Sequence, residues 1–203
     1  MLKHDRAQDE VSNLLNSIPP TDQRRLINAM VEIENFSSSD KRKRVPYVLR
    51  SPKPGDMGWV IHRHGAVYSQ EYGWNEQFEA LVAKIVANFM QNFDAKHERC
   101  WIAEKDGEIV GSVFLVRKSQ TVAQLRLLLV EPRARGLGIG RRLVEECTLF
   151  AKEAGYRKIT LWTNSVLTAA RHVYKECGYK PVRREKHHSW GHNLVSETWE
   201  LTL

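Results

Sequence analysis

The stretch "EPRARGLGIGRRL", residues 131–143, sets glycines at 136, 138 and 140 between arginines and runs on into a helical pattern. Glycine carries an entropic cost of about 0.5–1 kcal/mol relative to alanine in a regular element, so such a density needs a reason. The preceding run "VAQLRLLLV" (122–130) is almost wholly apolar, which reads as a strand central in its sheet. A strand, a glycine-rich turn and a helix in that order present free backbone N–H groups and the positive end of a helix dipole. That combination is an anion site, usually for phosphate. Two nucleotide motifs fail on inspection. The dinucleotide fingerprint G-x-G-x-x-G fits Gly136 and Gly138 but meets Arg141 where its third glycine belongs, and no G-x-x-x-x-G-K-[ST] string exists.

Working outward, the pattern predicts a mixed α/β sheet. "YVLR" (47–50) reads as a first strand and "GDMGWVIHRHG" (55–65) as a short helix begun near Asp56. A longer helix opens near Asn75, with Phe78, Leu81, Val82, Ile85, Val86 and Phe89 in an apolar stripe. "CWIAEK" and "EIVGSVFLVR" flank Asp106-Gly107 as a hairpin. After the glycine turn a helix buries Leu143, Val144, Cys147, Phe150, Ala151 and Ala154 and ends at Gly155. "KITLWT" (158–163) is a strand, "TAARHVYKECG" (168–178) a helix with Ala170, Val173 and Cys177 inward, and two final β runs join through Gly191. From residue 45 the expected order is β-α-α-β-β-β-α-β-α-β-β.

Arg135, Gly138 and Gly140 form R-x-x-G-x-G after "LLLVEP", and "AARHVYKECGYKPV" (169–182) supplies Ala170, Tyr174, Gly178 and Tyr179 at A-x-x-x-Y-x-x-x-G-[FY] spacing. With both motifs in order, residues 45–203 resemble the GCN5-related N-acetyltransferase (GNAT) family. The resemblance implies an α/β fold, a mostly antiparallel sheet of about seven strands flanked by helices. It also implies acetyl-coenzyme A as co-substrate, without a metal. Its diphosphate would meet Arg135 and the backbone of Gly136, Leu137, Gly138, Ile139, Gly140 and Arg141. The pantetheine arm would lie between parted central strands against Leu128, Leu129 and Val130, with Asn164 hydrogen-bonding it and Ala170, Arg171 and Tyr174 beside it. Tyr174 matches the family's general acid toward the departing thiolate. Side chains at 138 or 140 would collide with the diphosphate. The implied reaction is direct attack of a small-molecule or peptide amine on the thioester.

One departure stands out. Many relatives carry a glutamate on the third long strand, whereas here no carboxylate precedes Glu131. Deprotonation would then use a water chain or a carboxylate of the acceptor lip "SQEYGWNEQFE" (69–79), such as Glu71 or Glu79, beside Tyr72 and Trp74. "HHSWGH" (187–192) reads as a hairpin lining the acceptor site, because adjacent His187 and His188 point to opposite faces. His62 and His64 read as surface or lip residues.

Residues 1–40 differ in character. Val11, Leu14, Leu15 and Ile18, then Leu26, Ile27, Met30 and Ile33, predict two amphipathic helices, followed by "SSSDKRKR", a solvated linker with no aromatic or motif to support a nucleic-acid contact. This appendage resembles the closing helices of a MarR-type regulator fused to an acetyltransferase. The winged helix that reads DNA is missing, which argues against specific DNA binding and leaves packing on the domain or a homodimer open. The net charge of +7 (31 basic, 24 acidic) suits a polyanionic ligand. Three cysteines, no long apolar run and no secretion profile lead us to expect a bacterial cytoplasmic protein that makes no use of a membrane. The lone H-x-x-C of His97 and Cys100 is an incomplete metal set. Two rival functions share these features: a DNA-associated regulator, and a catalytically idle acetyl-coenzyme A sensor.

Overall fold

The computed structural model describes residues 47–203. The helical appendage, the KRKR linker and the MarR-like segment lie outside the described residues. The elements are β1 (Val48–Arg50), α1 (Asp56–Tyr72), α2 (Glu76–Asn92), β2 (Arg99–Lys105), β3 (Glu108–Arg117), β4 (Val122–Val130), a 3₁₀ turn (Pro132–Ala134), α3 (Ile139–Glu153), β5 (Lys158–Asn164), α4 (Thr168–Glu176), β6 (Lys180–Ser189) and β7 (His192–Thr202). Their order matches the expected one. The seven strands form one sheet, β1-β2-β3-β4-β5-β7-β6, in which only β4 and β5 run parallel. Among the described residues no helix is long and apolar enough to cross a membrane.

Alternation along the strands feeds two cores. Ala103, Val113, Leu115 and Leu125 face α3, whose Leu143, Val144, Cys147 and Ala151 are fully buried. Ile102 and Phe114 point the other way, onto Val60 of α1 and Phe78, Val82, Val86 and Phe89 of α2. Turn chemistry sets the β2–β3 register. Asp106 and Gly107 take positive φ (53° and 78°), the type I′ geometry that matches strand twist. Asn75 caps α2, its side chain accepting from the Gln77 N–H.

The centre of the sheet opens. β4 pairs with β5 only from Val122 to Leu125, against Lys158 to Leu161, and past that point the two strands part. On its other side β4 carries one extra residue against β3: Phe114 faces Arg126 but Ser112 already faces Leu129. Leu127 supplies the slack, a non-glycine residue at φ 51°. Where β3 and β4 run together again they are tight, and a Cβ on Gly111 would sit 2.9 Å from the Leu129 carbonyl oxygen.

The expected short helix after Asp56 is in fact 17 residues long and reaches Tyr72. Its buried stripe is Val60, His64 and Val67, and a histidine in the middle of that stripe masks the helical period in sequence. The first residues of the stretch expected to form the acceptor lip (69–79) are therefore the last turn of α1, closed by Gly73 in a left-handed cap.

Gly111→Ala is expected to destabilise the protein by about 1–3 kcal/mol, since the clash is with backbone that cannot rotate away. Gly58→Ala, in α1 with nothing within 4 Å of the new Cβ, should stabilise it by about 0.5–1 kcal/mol. Urea unfolding midpoints of the two variants, moving in opposite directions, check both.

Candidate active site

Two clefts meet where β4 and β5 part. The first, of about 500 Å³, lies over the glycine turn and is lined by Leu128, Leu129, Val130, Arg135, Gly136, Gly138, Ile139, Gly140, Arg141 and Ala170. The backbone explains two of its glycines. Gly136 and Gly138 sit at φ 82° and 78°, with open space where a side chain would point, and Gly138 is the N-cap of α3. Gly140 is ordinary helix, and a Cβ there would make normal contacts with Val130 and Val173. The chain itself thus requires two of the three glycines, whatever is bound. The turn leaves the first N–H groups of α3 facing the cleft without a side-chain cap.

Not every expected residue reaches this cleft. Leu137 packs on the core beneath the turn. Arg171 turns to β7, donating to the Glu197 carboxylate at 2.9 Å and the Ser165 carbonyl at 3.1 Å. Arg135 is at the cleft but grips Glu71 of α1 through both terminal nitrogens, at 2.8 and 3.0 Å. Arg141 pairs with Glu145 one turn along α3.

The second cleft, of about 460 Å³, lies on the α1–α2 side of the gap and shares Tyr68, Leu128, Leu167 and Ala170 with the first. Aromatic rings wall it. Tyr68, Trp74 and Phe78 stack at 4.6–5.0 Å between centroids, with Trp162 at the opposite side. Tyr174, the single fully buried residue of α4 at 5% exposure, lines the same space, and burial pushes its phenol well above the usual range.

Asn164 ends β5 at 1% exposure. Its carbonyl oxygen meets His187 Nε2 at 2.9 Å, while its Nδ2 has no partner. His187 Nδ1 lies 3.0 Å from the Ser189 hydroxyl, so the hydroxyl can donate to it and Nε2 can donate to Asn164. His188, on the opposite face, meets Asn193 across the hairpin, as strand alternation requires.

Of the two lip carboxylates, one is paired. Glu71 is held by Arg135, and Glu79 lies against α1, its carboxylate 2.8 Å from where a Cβ on Gly65 would be. Glu131, at the end of β4, is clamped by Arg63 at 2.5 and 2.8 Å.

Two further residues line the aromatic cleft, His64, expected as a surface or lip residue, and Arg126, which the sequence did not single out. His64 is buried rather than superficial, at 1% exposure. Its Nδ1 lies 2.8 Å from the Val60 carbonyl, which can only accept, so Nδ1 carries the hydrogen and Nε2 is a bare lone pair with no partner. Desolvation pulls its pKa down to about 4. Arg126 of β4 is the second, with its Nε buried and unpartnered and its pKa lowered by desolvation. Among the described residues no grouping of three His, Cys, Asp or Glu side chains could hold a metal ion.

Comparisons with known proteins agree with this geometry. Human N-acetyltransferase 8B is 26% identical over 123 residues, covering 58% of this chain and 54% of its own length. N-acetylaspartate synthetase of Xenopus tropicalis is 34% identical over 89 residues, 43% of this chain and 33% of its own. The chain spans about half the length of the curated relatives it matches. An acetyltransferase from Salmonella typhimurium, solved with its cofactor acetyl-CoA, superposes at a TM-score of 0.62 with 14% identity, covering 77% of this chain and 93% of that one. The family model "Acetyltransferase (GNAT) family" matches residues 62–179, which contain the glycine turn, the parted strands and α4, and the chain belongs to that family.

Proposed function

We propose that this protein moves an acetyl group from acetyl-CoA to an amine, with the donor in the glycine-turn cleft and the acceptor in the aromatic one. The observation that carries this reading is the pair of clefts meeting at the gap between β4 and β5, one anion-binding and one aromatic. The residues fit the donor. The uncapped N–H groups of α3 and the open space over Gly136 and Gly138 suit a diphosphate. Leu128, Leu129 and Val130 offer an apolar wall, and the unpartnered Nδ2 of Asn164 offers a hydrogen bond to an amide-bearing arm. A bound thioester supplies the activated acetyl group. The relatives' names support an amine acceptor, and N-acetylaspartate synthetase points by name to an amino acid in that protein's case.

Tyr174 holds a proton on the wall of the aromatic cleft, one helical turn from Ala170 at the junction. Its phenol, raised by burial, stays protonated and so keeps an O–H to donate. The same burial raises the basicity of a departing thiolate, which narrows the mismatch between a phenol and a thiol of ordinary pKa. Arg135 serves by position, since its pairing with Glu71 ties the turn to the end of α1. His64 accepts the amine's proton. Glu71 and Glu131 are held by arginines, and the bare Nε2 of His64 is a lone pair lining the acceptor cleft, a weak base suited to the acidic nitrogen of the tetrahedral adduct rather than to a free ammonium.

Free-thiol release from acetyl-CoA with a broad amine panel tests the reading, and absence of release with every amine overturns it. Tyr174→Phe is expected to lower kcat about 10²-fold or more while leaving KM for acetyl-CoA within about twofold; an undiminished rate removes the acid role.

His64 makes a further expectation in stability. Its folded pKa of about 4 lies below the unfolded 6.5, so the folded state is favoured above pH 6.5 and loses that advantage as pH falls toward 4. Between pH 7 and 4.5 the loss is about 2–3 kcal/mol. His64→Phe should flatten the dependence by that amount in urea unfolding at the two pH values, and should remove the acidic limb of kcat/KM that the wild type carries well below pH 6.5.

A further inference from the structure

The aromatic cleft has a charge pattern of its own. Its lining includes two cations, Lys118 and Arg126, and no aspartate or glutamate. Arg126 is the unusual one. It stands in the most central strand, opposite Phe114 of β3, at the last position before the Leu127 bulge. Its Nε is buried with no hydrogen-bond partner, and among the described residues no ion pair neutralises it. Arg126 as a whole is half-buried, and a guanidinium partly withdrawn from water normally meets a carboxylate or a phosphate. This one faces a cleft of substrate size.

Resting on the acetyl-transfer reading above, we propose that Arg126 is the anchor for a carboxylate on the acceptor. The acceptor class is then an amine that also bears a carboxylate on an apolar or aromatic body, an amino acid of aromatic type. The planar fork of the guanidinium pairs with both carboxylate oxygens. Tyr68, Trp74 and Phe78 enclose the body. The amine is thereby directed to the junction at Leu128 and Ala170, where the two clefts join. Lys118 adds a second positive charge to the same cleft, and with no acidic side chain there a polyamine is repelled. The half-buried Arg126 with its Nε unpartnered is the free-state consequence. The site is held ready for an anion and gains its counter-charge when the acceptor enters.

The test compares phenylalanine, phenethylamine and spermidine as acceptors. These are one carboxylate-bearing aromatic amine, its decarboxylated counterpart and a polycation. For the wild type, kcat/KM should rank phenylalanine above phenethylamine by about 10–100-fold, the range of a charge-assisted pair, with spermidine last. Arg126→Met should collapse the phenylalanine-to-phenethylamine ratio by that factor through KM, and Arg126→Lys should restore part of it. Thermal midpoints of both variants show whether they fold, and Met at this position should not lower the midpoint, because it removes a half-buried charge that has no counter-charge. Turnover with phenethylamine equal to or better than with phenylalanine overturns the proposal, as does an Arg126→Met ratio unchanged from wild type. Calorimetric binding of phenylalanine and of phenethylamine, without acetyl-CoA, separates the two readings. If no amine is turned over, acetyl transfer fails, yet tighter binding of phenylalanine that Arg126→Met abolishes still upholds the anion anchor. Equal binding of the two sinks it.

Discussion

Everything functional in this protein depends on two parallel strands that fail to stay together. β4 and β5 hydrogen-bond as far as Leu125 and Leu161 and then separate. Parallel neighbours normally continue side by side, so the separation needs a cause. Leu127 provides it: its left-handed backbone inserts a residue against β3 and swings the end of β4 away from β5. A leucine in that conformation costs on the order of 1–3 kcal/mol, a strain that surrounding packing must absorb. Leu127 is packed against the α1–α2 core, and Ser112 reaches across to donate to its carbonyl at 3.3 Å. The gap so created joins the glycine turn on one face to the aromatic cleft on the other.

The two halves of the opened sheet are then secured by contacts that leave the gap alone. β5 continues to pair with β7 as far as Asn164 and Ser196, which fixes the depth of Asn164 in the cleft. On the other side, Arg63 reaches from α1 to the buried Glu131 at the end of β4, so the helix over the aromatic cleft is tied to the strand that forms its floor. Arg171 and Glu197 do the same for α4 and β7, holding the helix that carries Tyr174. Arg135 and Arg171, which the sequence reading set at the cofactor, are likewise engaged with carboxylates. A fixed guanidinium–carboxylate pair with partly buried partners positions elements well even where its net contribution to stability is small.

Much of the fold was legible because it depends on local signals. Alternation and β-rich runs marked every strand, Asp106-Gly107 marked the hairpin, and Gly138 and Gly155 bracketed α3. The glycine turn was legible for the same reason, since a left-handed backbone leaves glycine in the sequence. The parting of β4 and β5 was not, because leucine is an ordinary strand residue and nothing in "LRLLLV" flags a positive φ. Nor was the pairing of Arg135 with Glu71, whose partners are 64 residues apart. His64 was obscured by the assumption that a histidine in a helix faces water, although Val60, His64 and Val67 stand at helical spacing and share one buried face.

Arg126 was present as a signal without being read as one. A charged residue inside an otherwise apolar central strand contradicts the strand's own pattern, and such local conflicts concentrate where function overrides stability. The same logic extends to the polar atoms left without partners in the cleft. His64 Nε2, Arg126 Nε, Thr163 Oγ1 and Asn164 Nδ2 are buried and unmatched, and all four residues line one cleft. A native interior satisfies nearly all such atoms, because each unmatched one costs on the order of 1–3 kcal/mol. Four of them in a single cleft are hard to understand as scattered imperfections of packing. Their chemical types, an imidazole lone pair, a cation, a hydroxyl and an amide, are the pattern expected if the cleft takes the acceptor proposed above, a molecule with a proton to lose and a negative charge.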